Sequence, residues 1–190
     1  MNKYKVVKMD RAGTKTMWVI EANNYSSAQT SVLSSENYVI ELVQELDPIM
    51  YYQRSKRYNG YTLGNSTTSM QQYGCFLMCL SFIAEKDPIE VDKIFMEKGV
   101  YSNDLINTQK AVDALGLKVE VGNSNIVGKM TDKGYMPKFT CIKEVTLGRG
   151  QHFVVRLIDD KGKRSIFDPW TGEYKTINFY PFRSYRLIHK

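Results

Sequence analysis

The sequence of 190 residues predicts an α+β protein, because helical patterns come first and antiparallel strand patterns follow them in its larger, C-terminal part. Helix signals occupy residues 75–116, and strand signals dominate from residue 117 onward. A boundary is expected at Asp47-Pro48, because a residue that precedes proline is disfavoured in the helical conformation. The predicted domains are therefore a small module, 1–47, and a main domain, 48–190.

The small module is predicted to be β-β-α-β. Residues 3–9 and 14–22 have strand composition and flank a turn, residues 25–35 suit a short helix, and residues 37–46 suit a third strand. Docking a substrate, covering a cleft or joining a larger assembly are the roles we consider for this module.

Near the start of the main domain, residues 53–74 are rich in Gly, Asn, Ser and Thr and predict a long functional surface loop. Residues 75–85 are apolar nearly all round and predict a buried helix. A second helix is expected to start at Asp87-Pro88, which forms a cap and first turn. A third is expected after a cap at Ser102 or Asn103.

Strand patterns follow these helices. HFVVRLID and RSIFD flank the turn DKGK, which is a hairpin signal. The predicted strands are LKVEV, KFTCIKEV, HFVVRLID, RSIFD and YRLIHK.

The composition, 43% apolar and 24% charged, is that of a soluble globular protein. No stretch of about 18 apolar residues and no secretory h-region is present, so we expect no signal peptide and no membrane partner. Three cysteines are too few for a disulfide framework. The net charge of +6 is spread without a long basic run, so we expect no nucleic-acid partner.

Cys75 is the first candidate for chemistry. Gly74 before it permits a tight turn, and the helix predicted after it would place the thiol at a helix N-terminus. There the helix dipole and a nearby imidazolium favour the nucleophilic thiolate. A buried apolar role for Cys75 is the alternative.

His152 and Asp168 are the second and third candidates. His152 opens one strand of the predicted hairpin and Asp168 closes the other, so their side chains should meet at one edge of the sheet. A carboxylate there would fix the imidazole tautomer and leave the other ring nitrogen to accept a thiol proton. Taken singly, His152 suits a structural role and Asp168 an ordinary turn. His189, the only other histidine, is expected to be solvated.

Acyl transfer also needs donors for a developing oxyanion. The backbone N–H of Cys75 could supply one. The side-chain amide of Gln53, Gln71 or Gln72 could supply the other, and spacing does not choose among the three.

Four motifs, in this order, make the chain resemble the papain-like cysteine peptidases, in the compact branch related to bacteriocin leader (double-glycine) peptidases: YYQRSKRY, LGNSTTSMQQYGC, GQHFVV and FDPWTG. The resemblance covers roughly residues 48 to 188. It implies a Cys75 nucleophile, a His152 base, an Asp168 orienter and Gln53 as oxyanion donor, with no cofactor and no metal.

The resemblance also implies a peptide or protein substrate, with cell-wall murein peptides as an alternative, and a cytoplasmic or virion-associated protein of bacterial or phage origin. Met78 and Cys79 depart from the small or hydroxyl residues usual on this helix, and the loop before Cys75 is long.

Three other interpretations are kept open. Cys75 and Cys79 share a helix face and, with His152, could be metal ligands, although a fourth ligand is missing. The domain could bind peptides without cleaving them. It could also be a transferase in which an amine replaces water. Cys79 and Cys141 are expected to pack in the core.

Overall fold

A computed structural model describes residues 2–9, 15–22, 38–42, 48–159 and 161–190, with the backbone alone as far as residue 49. Contacts divide the chain into two compact units, Met1–Asp47 and Pro48–Lys190. No helix in the described part of the chain is both long and apolar enough to cross a membrane.

The first unit contains a three-stranded antiparallel sheet in the order β2-β1-β3. Its strands are β1 (Asn2–Met9), β2 (Lys15–Ala22) and β3 (Tyr38–Leu42). All three strands were predicted from composition. The predicted turn between β1 and β2 and the predicted helix over 25–35 lie outside the described residues.

The second unit mixes helices and antiparallel sheets, as the sequence predicts for an α+β protein. Its helices are α1 (Met70–Tyr73), α2 (Cys75–Ala84), α3 (Pro88–Glu97) and α4 (Thr108–Leu115), with short 3-10 turns at Pro48–Tyr51 and Lys56–Tyr58. The Asp87 carboxylate caps α3 by accepting from Ile89 N at 2.8 Å, as the Asp-Pro signal predicts.

Six strands form the main sheet, in the order β11-β10-β9-β8-β12-β7. They are β7 (Lys129–Met130), β8 (Cys141–Leu147), β9 (Gly150–Ile158), β10 (Arg164–Asp168), β11 (Glu173–Thr176) and β12 (Phe182–Arg186). Two further pairs join β4 (Tyr101–Ser102) to β5 (Leu105–Ile106) and β6 (Lys118–Val119) to β13 (Ile188–His189).

Helix α2 is the buried centre of this unit and packs against β9. The Phe76 ring lies 4.7 Å from that of Phe153, and the Phe82 ring stacks on Phe167 at 5.1 Å. Leu77, Met78, Cys79 and Leu80 are fully buried. The apolar character all round the helix therefore matches its position, because each face meets protein rather than water.

The segment 53–74 differs from the predicted surface loop, because a buried carboxylate and three buried hydrophobic side chains hold it against the domain. Asp92, on α3, accepts from Tyr61 Oη at 3.1 Å and from Gly64 N at 3.0 Å. It also accepts from the Tyr101 hydroxyl. The buried hydrophobic side chains are Tyr58, Leu63 and Met70. Asp92 thus fixes the approach to α1 and α2.

The third helix starts later than predicted. Ser102 and Asn103 belong to the β4–β5 hairpin, where Asn103 adopts a positive φ of 54°. Asn107 caps α4 instead, accepting from Lys110 N at 3.1 Å. Both asparagines suit a cap or a turn, so the local pattern did not separate them. Leu105 is consequently 75% exposed instead of lying on a helix face.

Candidate active site

Cys75 is the first residue of α2, as the sequence predicts, and its side chain is partly buried. Gly74 separates α1 from α2, and its N–H donates to Met70 O at 2.9 Å. A Cβ on Gly74 would lie only 2.4 Å from that oxygen, so the close approach of the two helices requires glycine here. The N–H groups of the first helical turn have no acceptor within a helix. The backbone N–H of Cys75 is therefore available beside its own thiol.

Strands β9 and β10 bring His152 and Asp168 together. Their antiparallel register pairs Phe167 with Val155, which sets Asp168 across from Val154. His152 lies two residues from Val154 and so on the same face of the sheet. The imidazole Nε2 and carboxylate Oδ1 are 2.7 Å apart, with both side chains nearly fully buried.

The Cys75 thiol lies near the His152 imidazole and helps to raise the pKa of that ring. Since Asp168 occupies Nε2, the nitrogen left for the thiol is Nδ1. The structure thus places the three predicted residues in the order Cys75, His152, Asp168. A carboxylate on one nitrogen and a thiol on the other is the arrangement that nucleophilic catalysis needs.

Burial of His152 disfavours the imidazolium, but its hydrogen bonds to Asp168 and Cys75 and the negative charges of both groups favour it. The balance raises the pKa of His152 from 6.5 to about 9. The charged form of the imidazole therefore dominates at neutral pH.

Asp168 accepts hydrogen bonds from several groups that the sequence analysis missed. The Trp170 N–H donates to Oδ1 at 2.9 Å, and Lys175 Nζ lies 3.0 Å from Oδ2. The Tyr180 hydroxyl also donates to Oδ2. Burial opposes ionisation, but the donors, with His152 first among them, hold the pKa of Asp168 well below its ordinary value. The Asp168 carboxylate is thus ionised at neutral pH.

The sequence contained one signal for Lys175. The β10–β11 register pairs Asp168 with Glu173, so Lys175 lies two residues along β11 on the same face as Asp168. A hairpin predicted around Thr171-Gly172 would have shown this. No comparable signal locates Tyr180, which follows β11 in an irregular segment.

Gln53 is fully buried and is tied to both sides of the site. Its backbone N–H donates to Pro169 O at 3.0 Å, beside Asp168. Its side-chain Nε2 donates to Gln71 O at 3.1 Å, in the helix that precedes Cys75. An amide nitrogen carries two hydrogens, and the bond to Gln71 O uses one of them.

The other two glutamines differ from Gln53 in their surroundings. Gln71 donates its amide to Ser55 O at 3.1 Å and to Asn59 Oδ1 at 3.0 Å, so it holds the preceding loop. Gln72 is exposed. Gln53 is therefore the glutamine whose position best suits an oxyanion donor.

Trp170 lies beside the His152–Asp168 pair. Its ring meets the imidazole edge-on, with 6.4 Å between centroids, and the Arg54 guanidinium lies 4.8 Å above its centre. The indole and guanidinium thus form part of the wall around the site.

Cys79 and Cys141 are fully buried. Burial raises the pKa of both thiols, that of Cys141 to about 12. Among the described residues, no three His, Cys, Asp or Glu side chains lie together as a metal site. His189 differs from expectation: its side chain is only 18% exposed, and its ring meets that of Phe139 at a tilt, with 4.3 Å between centroids.

Comparisons of the chain with protein-family models, with curated proteins and with solved structures gave no match. The chemistry is therefore interpreted from the side chains themselves. A thiol at a helix start, a paired imidazole and a permanent carboxylate can form and break a covalent acyl bond.

Proposed function

We propose that residues 48–190 form a papain-like cysteine hydrolase that cleaves an amide bond in a peptide or protein. The observation that carries the proposal is the grouping of Cys75, His152 and Asp168, with the imidazole bonded to the carboxylate at 2.7 Å and the nearby thiol on the first residue of α2. The buried His152–Asp168 pair supports it further, because a histidine held this firmly at one nitrogen presents the other in a fixed direction.

In the acylation step, the Cys75 thiolate attacks the carbonyl carbon of the substrate and a C–S bond forms. The carbonyl electron pair moves to oxygen, giving a tetrahedral oxyanion. The His152 imidazolium then gives its Nδ1 proton to the leaving amine as the C–N bond breaks. The products of this step are a thioester on Cys75 and a free amine, with His152 neutral.

In the deacylation step, neutral His152 takes a proton from water, and the hydroxide oxygen attacks the thioester carbon. The C–S bond breaks, the carboxylic acid leaves, and the thiolate and imidazolium are restored. Asp168 keeps its charge throughout and stabilises the imidazolium in both steps.

The backbone N–H of Cys75 and the second N–H of Gln53 would stabilise the oxyanion. Gln53 Nε2 is anchored by the Gln71 carbonyl. Such preorganised donors lower the barrier because they need no reorientation during the reaction. The net charge of +6 favours an anionic target, including cell-wall peptides, among the possible amide substrates.

Selective alkylation tests the nucleophile without a known substrate. Brief treatment with limiting iodoacetamide at about pH 6, followed by peptide mass mapping, should label Cys75 before Cys79 and Cys141, because the latter two are fully buried with raised pKa values. The His152→Ala variant should lose most of this selectivity, and His189→Gln is the matched control that should keep it.

Cleavage is then tested with a mixture of intact peptides, comparing the wild-type chain with Cys75→Ala by mass spectrometry. New termini should appear only with the wild-type chain. Selective labelling without any cleavage would support a peptide-binding module, and equal labelling of the three cysteines would refute a thiolate nucleophile.

A further inference from the structure

Lys175 places a positive charge on the far side of Asp168 from His152. Its Nζ lies 3.0 Å from Asp168 Oδ2 and 3.1 Å from the Tyr180 hydroxyl. The ammonium also lies 4.6 Å from the centre of the Phe179 ring, and the side chain is only 11% exposed. Glu173, 3.9 Å away, is the other acid near it and is 67% exposed.

We propose that Lys175 is a positioning residue that offsets the charge of Asp168. The carboxylate that orients His152 then belongs to a Lys175–Asp168 ion pair with little net charge. This inference rests on the proposed function for the role of Lys175 in catalysis. The effect of the lysine charge on His152 can be measured without catalysis.

The reason is a conflict between two demands on Asp168. Its carboxylate must hold the imidazole ring firmly, which the 2.7 Å contact does. A buried carboxylate without a counter-charge would also stabilise the imidazolium strongly, and an imidazolium that keeps its proton is a weak acid toward a leaving amine. A lysine on the second oxygen weakens the negative field at the ring while leaving the hydrogen bond in place.

The side chains that face His152 determine how strongly the imidazole holds its proton. Asp168 contacts Nε2, Cys75 lies near the ring, and the rings of Trp170 and Tyr180 meet the imidazole edge-on at 6.4 and 6.1 Å. Of these, Asp168 is the group that Lys175 contacts as an ion pair. Removing the lysine charge should therefore act on His152 through Asp168.

NMR titration of the imidazole signals in the full chain tests the inference. The chain has two histidines, so His189→Gln assigns both. Lys175→Met should move the His152 midpoint upward by about one pH unit, and Lys175→Arg, which keeps the charge, should leave it near the wild-type value. The His189 midpoint should stay constant in both variants and reports that the fold is intact.

A second comparison keeps the test decisive if Lys175→Met does not fold. In Asp168→Asn the lysine charge is unopposed and the His152 midpoint should fall below the wild-type value. Asp168→Asn/Lys175→Met removes both charges, so its midpoint should lie above that of Asp168→Asn. Equal midpoints in these two variants, an unchanged midpoint in Lys175→Met, or a Lys175→Arg midpoint matching that of Lys175→Met would overturn the inference.

The NMR result and the alkylation result are separable. Selective labelling of Cys75 with an unresponsive His152 midpoint would reject the role of Lys175 alone. A responsive midpoint without selective labelling would reject the nucleophile and leave the charge balance standing.

Discussion

The raised pKa of His152 predicts a specific loss of stability in alkaline solution. The folded-state value of about 9 exceeds the ordinary 6.5, so the folded protein binds the proton more tightly than the unfolded chain does. This contribution is full below about pH 6.5 and disappears as the pH rises through 9. A difference of 2.5 in pKa corresponds to about 3 kcal/mol of unfolding free energy.

Urea unfolding at a series of pH values from 6 to 10 measures this loss. Trp170 is the natural probe, and Trp18→Phe removes the only other tryptophan from the signal. The wild-type free energy of unfolding should fall between pH 7 and pH 9, whereas the His152→Ala profile should be flatter over the same interval. His189→Gln is the matched control and should follow the wild type.

The dependence on Cys75 provides a further check on the same prediction. Two of the interactions that raise the pKa of His152 come from Cys75, its hydrogen bond and its negative charge. Cys75→Ala should therefore reduce the alkaline loss without abolishing it, because Asp168 remains. Parallel profiles for the wild type and His152→Ala would refute the charged, paired state of His152.

Three other predictions concern single contacts. Gln53→Ala should lower turnover by about a hundredfold or more with the fold retained, and an unchanged rate would move the oxyanion role to Gln71 or Gln72. Gly74→Ala should destabilise the domain and slow alkylation of Cys75, because its Cβ would lie 2.4 Å from a carbonyl oxygen; thermal unfolding and labelling rates measure both effects. Asn107→Ala should cost about 1 kcal/mol in urea unfolding through loss of the α4 cap, and an unchanged free energy of unfolding in this variant would contradict that assignment.

The three residues of the candidate triad could be predicted because their signals depend on local rules. A hairpin around DKGK fixes which residues of two strands face each other, and Gly-Cys before an apolar run fixes where a helix begins. His152 and Asp168 follow from the first rule and Cys75 from the second.

The missed features depend on contacts between distant segments. Asp92 organises residues 61–64 from a position 28 residues further along the chain, and no local pattern reports such a partner. No local pattern locates Tyr180 either, because it reaches Asp168 from an irregular segment. The start of α4 was missed for a different reason, since two asparagines near it offered the same capping chemistry.

The backbone hydrogen bond from Gln53 N to Pro169 O affects which substitutions of Gln53 the domain can tolerate. It joins the oxyanion side of the site to the turn that carries Asp168, and it uses main-chain atoms only. Nineteen residue types can supply that N–H, and proline alone cannot. The alignment of the two sides can therefore survive replacement of the glutamine, so a sequence that has lost the amide can still keep Asp168 in place beside His152.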